Sequence, residues 1–286
     1  MSSDAGAART ASESERASAL PQVIIAKYGT RVGRRSEVYL NYPLYGDDDA
    51  DIGMDYFFWI VRDADRTIII DTGFSAEGAA NRSRTTLITP AEVLERLGID
   101  VSTVEQVVIT HAHYDHIGNL GLFPRAQFII ARREYDFWSS RHAQRRQFHH
   151  SVEDAELATL RRLHDEGRVR TFEGSLALSP DVELREVGGH TPGQSIVLVQ
   201  TSEGPVLLAS DAVHYYEELE RDMPFMSVAN LVEMYEGFDT IHELVRTARV
   251  AHLVAGHDPA TLERFTPITT AGLEEFVATI GRWDGN

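Results

Sequence analysis

Residues 107–116 read Val107-Val108-Ile109-Thr110-His111-Ala112-His113-Tyr114-Asp115-His116, and this stretch decides the fold. Its apolar, β-branched start predicts a buried strand, and its end brings together four candidate metal ligands. His111 and His113 are two positions apart, so in an extended chain both side chains point the same way and can bind one ion. Asp115 and His116 follow where the chain must turn, and they can face a second ion. A polar turn with solvated histidines is the simpler alternative, and it loses support because the rest of the chain supplies further ligands.

Three later junctions between a strand and a loop add one candidate ligand each. His190 lies between Gly189 and Thr191-Pro192-Gly193, and glycine lets the backbone approach closely and leaves the imidazole accessible. Asp211 follows the apolar run 206–209, and His257 follows the apolar run 253–255. Nitrogen and oxygen ligands in this number predict two divalent ions with room for a shared water, as a catalytic site requires. We expect one ion to be held by His111, His113 and His190, the other by Asp115, His116 and His257, with Asp211 bridging them.

The order of these ligands resembles that of the metallo-β-lactamase superfamily. The His-x-His-x-Asp-His run, the later Gly-His, the aspartate after an apolar strand and the final Gly-His all agree, and the likeness extends from about residue 22 to the C-terminus. Ile70-Asp71-Thr72-Gly73 matches an early element of the family, which implies that Asp71 orients the ligand loop without binding an ion. The resemblance implies an α/β fold, the four-layer αββα sandwich, in which two packed mixed β-sheets are flanked by helices.

Within that superfamily the chain is most similar to the N-acyl homoserine lactonases. They share the ligand spacing and a segment like 220–225, Glu-Arg-Asp-Met-Pro-Phe, shortly after the bridging aspartate. One departure concerns the third residue after that aspartate, which is usually a tyrosine that contacts the substrate carbonyl. This chain has His214 there, followed by Tyr215. Either Tyr215 supplies the missing hydroxyl or the substrate differs.

The activity that these features imply is the opening of a lactone ring. A hydroxide bridging two divalent cations can attack the ring carbonyl without a serine or cysteine nucleophile. Zinc is the expected metal, and iron, manganese and cobalt fit the same ligands. Asp115 is expected to move a proton to the leaving group, with Tyr215 or His214 as a further catalytic group. We expect the substrate pocket to be lined by Phe74, Tyr114, His214, Tyr215, Met223 and Phe225.

Two other activities stay open. The same machinery can act on another neutral lactone, a cyclic amide, an ester or an activated ether. A di-iron oxidoreductase of the flavodiiron kind is less favoured, because that group usually has glutamate where His113 stands and carries a flavodoxin domain for which no chain remains. Lys27 is the one lysine, against 26 arginines, so no late lysine can grip a substrate carboxylate and a neutral substrate is favoured.

Local patterns predict several of the remaining elements. Residues 56–62 and 67–70 are expected to pair as a hairpin. Thr89-Pro90-Ala91-Glu92 has the capping-box spacing with proline in the first turn, so a short helix should begin there and end near Gly98. A second helix is expected over 151–167, and residues 135–150 are expected to be helical and solvent-facing.

Composition bounds the class of protein and its partners. The chain has 286 residues, enough to bury a large core, and residues 21–286 are expected to form a single metallo-β-lactamase-like catalytic domain. Forty-four acidic against 27 basic residues give a net charge of −17, which argues against nucleic acid or an anionic membrane as a partner. The expected partner is a small-molecule substrate, and a homodimer is compatible with the sequence. Residues 1–20 lack an apolar run, so we expect a disordered or strap-like arm, no signal peptide and a cytoplasmic location.

Overall fold

A computed structural model of the chain describes residues 20–247 and 249–282, so the predicted arm lies outside the described residues apart from Leu20. The described strands are β1 (Gln22–Arg34), β2 (Asp51–Arg62), β3 (Thr67–Ile70), β4 (Thr85–Thr86), β5 (Gln106–Ile109), β6 (Gln127–Ala131), β7 (Val169–Phe172), β8 (Ser175–Ser179), β9 (Val182–Glu186), β10 (Ser195–Thr201), β11 (Gly204–Ser210), β12 (His252–Ala255), β13 (Thr266–Pro267) and β14 (Val277–Ile280).

The described helices are mostly short. They are α1 (Arg35–Val38), α2 (Ala76–Asn81), α3 (Pro90–Arg96), α4 (Tyr114–Ile117), α5 (Arg132–Trp138), α6 (Arg146–His149), α7 (Asp154–Asp165), α8 (Tyr216–Arg221) and α9 (Leu231–Arg246). Three single-turn 3-10 helices cover Tyr42–Tyr45, Leu120–Leu122 and Leu262–Arg264. Within the described part of the chain, no helix has the length and apolar character needed to cross a membrane.

The strands form two mixed sheets. In the larger sheet, neighbouring strands follow the order β13-β14-β1-β2-β3-β5-β6-β7, and β4 pairs with β1. In the smaller sheet the order is β12-β11-β10-β9-β8. β3, β5, β6 and β7 run parallel to one another, as do β11 and β12. Since parallel strands end at the same edge of a sheet, the loops that follow β5, β11 and β12 can meet at one place.

Alternation along the strands shows how the layers pack. Val108 and Leu208 belong to the apolar core between the two sheets. Their neighbours point the opposite way, because successive side chains in a strand face opposite sides of the sheet. Val107 packs in a second core with residues of α3 and α7, and Leu207 packs in a third with Ile241 of α9. Helices therefore cover both outer faces, and the predicted αββα sandwich is confirmed.

Most of the local predictions are confirmed. β2 and β3 pair antiparallel, and α3 begins at Pro90 after a Thr89 capping box. The helix predicted over 151–167 is α7, which is shorter at both ends. The prediction of a solvent-facing helix over 135–150 is wrong in part. α5 and α6 are separate helices, and Trp138 is buried because its indole faces the functional site described below.

Candidate functional site

The seven predicted ligands lie together, although four separate segments supply them. Two follow β5, two are on α4, and one each follows β9, β11 and β12. All are buried, and they form two groups within which the ligand atoms lie within 4.8 Å of one another. The first group comprises His111, His113, His190 and Asp211, and the second comprises Asp115, His116 and His257. The six residues other than Asp211 fall into the two sets of three that the sequence predicts, and Asp211, which was expected to bridge them, is grouped with the first set.

Asp211 lies between the two groups. Its Oδ2 is 3.7 Å from His111 Nε2 and 3.5 Å from His190 Nε2. Its Oδ1 is 3.4 Å from His116 Nε2 and 3.1 Å from His257 Nε2. Each carboxylate oxygen therefore faces one group of imidazoles, which is the arrangement that a bridging ligand needs.

The residues present fit metal ions, because several buried ligand atoms face the cluster without a hydrogen-bond partner among the described residues. These atoms are His111 Nε2, His116 Nε2 and Asp211 Oδ1. An unsatisfied buried polar group costs roughly 1–3 kcal/mol, so several in one place call for a further partner. A cation that accepts their lone pairs would remove this cost.

Hydrogen bonds on the far side of the rings fix which nitrogen faces the cluster. His190 Nδ1 lies 2.7 Å from the Ser227 carbonyl oxygen, and His257 Nδ1 lies 2.8 Å from that of Asp55. An imidazole that donates from Nδ1 to a carbonyl presents the lone pair of Nε2 on the opposite side. Both rings are thus held with Nε2 toward the cluster, as metal binding would require.

The electrostatics of the cluster also suit metal binding. Burial lowers the pKa of His111 and His113, and it lowers the pKa of His190 to about 3. These rings are neutral at pH 7, the form in which an imidazole binds a metal. Burial would raise the pKa of Asp211, but the surrounding histidines, His257 foremost, hold it well below its usual range. An ionised carboxylate therefore stands beside the neutral imidazoles of His111, His113 and His190, whereas at His116 the effect of burial is outweighed by Asp211 and Asp71, which raise the pKa of this ring.

Asp71 organises the loop that follows β5. Its Oδ1 accepts from the backbone N–H of Thr110 at 2.8 Å, and its Oδ2 accepts from the Thr110 hydroxyl at 2.7 Å. Oδ2 also lies 2.7 Å from His116 Nδ1, so Asp71 orients this ring from behind. The residue is fully buried and has a φ of 62°, a left-handed conformation that costs a non-glycine residue of order 1–3 kcal/mol. These contacts match the orienting role that the family resemblance implies.

Glu134 on α5 joins two ligand loops, and the sequence analysis missed it. Its Oε1 accepts from Ala112 N–H at 2.9 Å and from Trp138 Nε1 at 2.7 Å, and its Oε2 accepts from Gly193 N–H at 2.9 Å. The carboxyl group is completely buried. Because Ala112 separates His111 from His113, this one side chain fixes the loops of both histidines and of His190.

Close backbone contacts explain two glycines near the ligands. A Cβ at Gly193 would lie 2.3 Å from the backbone nitrogen of Glu134. A Cβ at Gly256 would lie 2.5 Å from the Ser210 carbonyl oxygen. Both distances are far inside van der Waals contact, so the loops that carry His190, Asp211 and His257 can approach their neighbours only with glycine at these positions.

The ligands form the floor of a cavity of about 350 Å³. Its walls combine aromatic side chains with arginines. The aromatic residues of the wall are Tyr56, Tyr114, Phe137, Trp138, Phe148 and Phe225, and the arginines are Arg31, Arg82 and Arg84. That arginines line the site was not predicted from the sequence.

Three of the six predicted pocket residues line this cavity, namely Tyr114, His214 and Phe225. The other three do not. Phe74 lies behind Tyr114, with their rings stacked at 6.3 Å, and Met223 is fully buried in the core. Tyr215 points into the core, and its hydroxyl donates to the Gly53 carbonyl oxygen at 2.9 Å. The expectation that Tyr215 presents a hydroxyl to the substrate is therefore corrected, because that hydroxyl is already used inside the protein.

His214 faces the metal-ligand cluster. Its Nε2 is 3.1 Å from Asp211 Oδ2, and its Nδ1 is 3.3 Å from Glu218 Oε1. Neither nitrogen has a properly aligned hydrogen bond among the described residues. Phe225 stacks on the ring, with centroids 3.7 Å apart and planes at 13°. Burial opposes protonation, but Asp211 and Glu218 raise the pKa of His214 to about 9.

Curated proteins that are similar to this chain include N-acyl homoserine lactonases. An N-acyl homoserine lactonase of a Bacillus species is 30% identical over 168 residues, which cover 58% of each chain. The lactonase AttM of Azorhizobium caulinodans is 30% identical over 181 residues, which cover 58% of this chain and 62% of that protein. The chain thus spans about three fifths of the length of the curated relatives that it matches.

Solved structures share the fold. An N-acyl homoserine lactone hydrolase with the product N-hexanoyl-L-homoserine bound has a TM-score of 0.71 at 20% identity, covering 86% of this chain and 96% of that one. AidC, a dizinc quorum-quenching lactonase, has a TM-score of 0.68 at 16% identity, covering 93% and 96%. The family model of the metallo-β-lactamase superfamily matches residues 54–257, a range that includes all seven predicted ligands. The chain therefore belongs to the metallo-β-lactamase superfamily.

Proposed function

We propose that this protein is a dinuclear metal-dependent hydrolase that opens the ring of N-acyl homoserine lactones. The observation that carries the proposal is the pair of buried ligand groups, joined by Asp211, at the floor of a cavity with aromatic walls. The relatives named as N-acyl homoserine lactonases support the choice of substrate. We further propose that residues 21–286 form one catalytic domain.

Each ligand group would hold one divalent ion. His111, His113 and His190 would bind the first, Asp115, His116 and His257 the second, and Asp211 both. Imidazole and carboxylate ligands suit zinc, which is the metal we propose, and the dizinc composition of AidC supports that choice. Bound ions would supply Lewis acidity, which lowers the pKa of water and polarises an ester carbonyl.

Two side chains in the cavity would complete the reaction. The Asp115 carboxylate lies 3.8 Å from both His116 Nε2 and His257 Nε2, and it lines the cavity. Asp115 can take the proton that the attacking water loses and give it to the ring oxygen as the carbon–oxygen bond of the ring breaks. We assign to His214 the contact with the substrate carbonyl, because its ring lines the cavity and its Nε2 faces the ligand cluster, 3.1 Å from Asp211 Oδ2. The product is a hydroxy acid, and one proton is released at neutral pH.

The histidine at position 214 favours a second candidate function. His214 stands where the resemblance leads us to expect a tyrosine, so the contact with the substrate carbonyl comes from a ring nitrogen of different reach. A different lactone or an ester can suit that contact better than a homoserine lactone. The second candidate is therefore the same hydrolytic site acting on another cyclic or activated ester.

A substrate panel separates these candidates. The purified protein, with its metal content measured, is assayed by pH-stat against acyl homoserine lactones of several chain lengths, other lactones, aryl esters and cyclic amides. We expect proton release with acyl homoserine lactones, loss of most activity in His113→Ala, and little change in His242→Ala, a control histidine that lies exposed on α9. Hydrolysis of another ester with every acyl homoserine lactone left intact would favour the second candidate, and activity in metal-free protein would exclude both.

A further inference from the structure

Two arginines of the cavity wall lie side by side on one sheet face. Arg31 of β1 pairs with Met54 of β2, and Thr30 pairs with Thr85 of β4. If the register of this second ladder is continued by one residue beyond β4, Arg31 is opposite Arg84. Residues opposite each other in an antiparallel pair point to the same face, so both guanidinium groups lie on the side of the sheet that lines the cavity.

Neither guanidinium forms a direct ion pair with a described residue. In the described part of the chain, no carboxylate forms an ion pair with Arg31 or Arg84, whereas Arg82 beside them pairs with Glu153. Arg84 donates from Nε to the Tyr114 hydroxyl at 3.0 Å, and Arg31 contacts the Met54 sulfur at 3.1 Å. Like charges on neighbouring strands repel each other. These two positive charges are adjacent although the net charge of the chain is −17. The pair is therefore a half-buried positive patch that no carboxylate of the described residues contacts directly.

Two of the remaining acidic groups of the cavity, Asp115 and Asp211, belong to the ligand cluster. The third, Glu37 at the rim, accepts from the backbone N–H of Arg34 at 3.1 Å, and its Oε2 lies near Arg31 Nη1, since a Cβ at Gly33 would be 3.3 Å from the first atom and 3.2 Å from the second. Glu37 therefore offsets part of the charge of Arg31 without forming an ion pair with it. The lack of a late lysine favoured a neutral substrate, but Arg31 and Arg84 in the cavity wall can take the place of that lysine. An arginine can bind a carboxylate through two parallel hydrogen bonds, and it does so better than lysine.

The patch lies at a defined distance from the proposed reaction centre. Tyr56 contacts the ring of His257, with centroids 5.1 Å apart, and Met54 is the next residue of β2 on the same face. Alternate residues of a strand are about 7 Å apart, so Arg31 lies about one such step beyond the ring that touches the ligand cluster. A molecule of moderate length can therefore reach both places.

We propose that Arg31 and Arg84 form an anion-binding subsite, and that the substrate carries a carboxylate on the side of the molecule away from the bond that is cleaved. The substrate class that we infer, an acyl homoserine lactone with an anionic acyl tail, rests on the proposed function. Tyr56 and Tyr114 hold Arg84 in place. The central carbon of the Arg84 guanidinium lies 5.9 Å from the centroid of the Tyr56 ring, and Arg84 Nε donates to the Tyr114 hydroxyl.

Two lactones of equal length test the subsite. N-hexanoyl homoserine lactone has a neutral tail, and the analogue with a 5-carboxypentanoyl tail carries a terminal carboxylate on the same six carbons. We expect the wild-type kcat/KM to be about five to ten times higher for the carboxylated lactone, because a half-buried ion pair is partly screened by water. This preference should shrink as salt is added.

Variants assign the preference to the arginines. Arg31→Gln and Arg84→Gln should each remove most of the preference, and Arg31→Lys should retain part of it. The matched control is Arg170→Gln, which removes an exposed arginine of β7 outside the cavity and should keep the wild-type ratio. Isothermal titration of the as-purified protein with adipate, a dicarboxylate, supplies a readout without turnover. Its affinity should fall about fivefold in Arg31→Gln, with metal content unchanged.

The outcomes separate the subsite from the proposed function. Equal turnover of both lactones in wild type and variants would overturn the subsite and leave the lactonase intact. Adipate binding that depends on Arg31, without opening of either lactone, would keep the subsite and overturn the lactonase. Adipate binding that is the same in Arg31→Gln and wild type, with no preference between lactones, means that the metal centre alone binds carboxylates, and the subsite is then rejected.

Discussion

Replacing Glu134 by glutamine tests how two ligand loops are held together. The carboxylate accepts three buried hydrogen bonds, from Ala112 N–H, Gly193 N–H and Trp138 Nε1. A glutamine oxygen can keep the first and the last, but its NH₂ group then faces the N–H of Gly193, donor against donor. One hydrogen bond is lost and two buried donors remain unsatisfied, which costs about 2 kcal/mol. For a chain of this size that lowers Tm by about 4–8 °C.

The same substitution should weaken metal binding. Because Ala112 and Gly193 lie in the loops of His113 and His190, their displacement misplaces two ligands of one ion. Loss of such an orienting contact typically costs tenfold to a hundredfold in metal affinity. The assay is competition for zinc against a chromogenic chelator, together with thermal unfolding. Asp136→Asn is the control, since Asp136 is exposed on the same helix. Zinc affinity within twofold of wild type, with an unchanged Tm, would refute the reasoning.

Three further substitutions probe other parts of the structure. Burial raises the pKa of Glu156 from 4.5 to about 7, so the protonated carboxyl group favours the folded state. This stabilisation amounts to about 3 kcal/mol; it is present at low pH and is lost as the pH rises through 7. Glu156→Gln should therefore be more stable than wild type at pH 8 and lose less stability between pH 5 and pH 8 in denaturant titrations; equal pH dependence in both proteins would count against this. Asp71→Asn should lower zinc affinity by about tenfold, because the amide holds His116 less firmly; unchanged affinity in the chelator assay would show that this contact does not matter. Tyr215→Phe should cost about 1 kcal/mol of stability by removing the hydrogen bond to Gly53 and should leave kcat/KM within about twofold, whereas a hundredfold loss of kcat/KM would return Tyr215 to the catalytic centre.

The positions of the ligands could be predicted because they depend on short-range pattern. His111 and His113 alternate at the end of a strand, and Asp211 and His257 each end an apolar run, so strand geometry alone places them at sheet edges. The four-layer architecture came from the family resemblance, since periodicity does not say which sheet packs on which. Placement of all seven side chains agrees with the prediction, and their roles as ligands remain part of the proposed function.

The surroundings of the ligands could not be predicted because they depend on long-range contacts. Glu134 follows two arginines in a short helix, and this pattern is typical of an exposed helix face. Tyr215 turns inward, where its hydroxyl donates to the carbonyl oxygen of Gly53 on β2, a residue far away in the sequence. Arg31 and Arg84 become neighbours only through β4, a strand of two residues without a sequence pattern of its own. Each of these positions is fixed by tertiary structure that no local pattern encodes.

The most direct test of the central claim is a zinc titration of chelator-treated protein, with hydrolysis of N-hexanoyl homoserine lactone followed by pH-stat. If two buried ligand groups joined by Asp211 form the reaction centre, activity should rise with added zinc and level off at two equivalents per chain. The Asp211→Asn variant should need far more zinc to reach its plateau. Full activity without metal, or an intact lactone at two bound equivalents, would contradict the account.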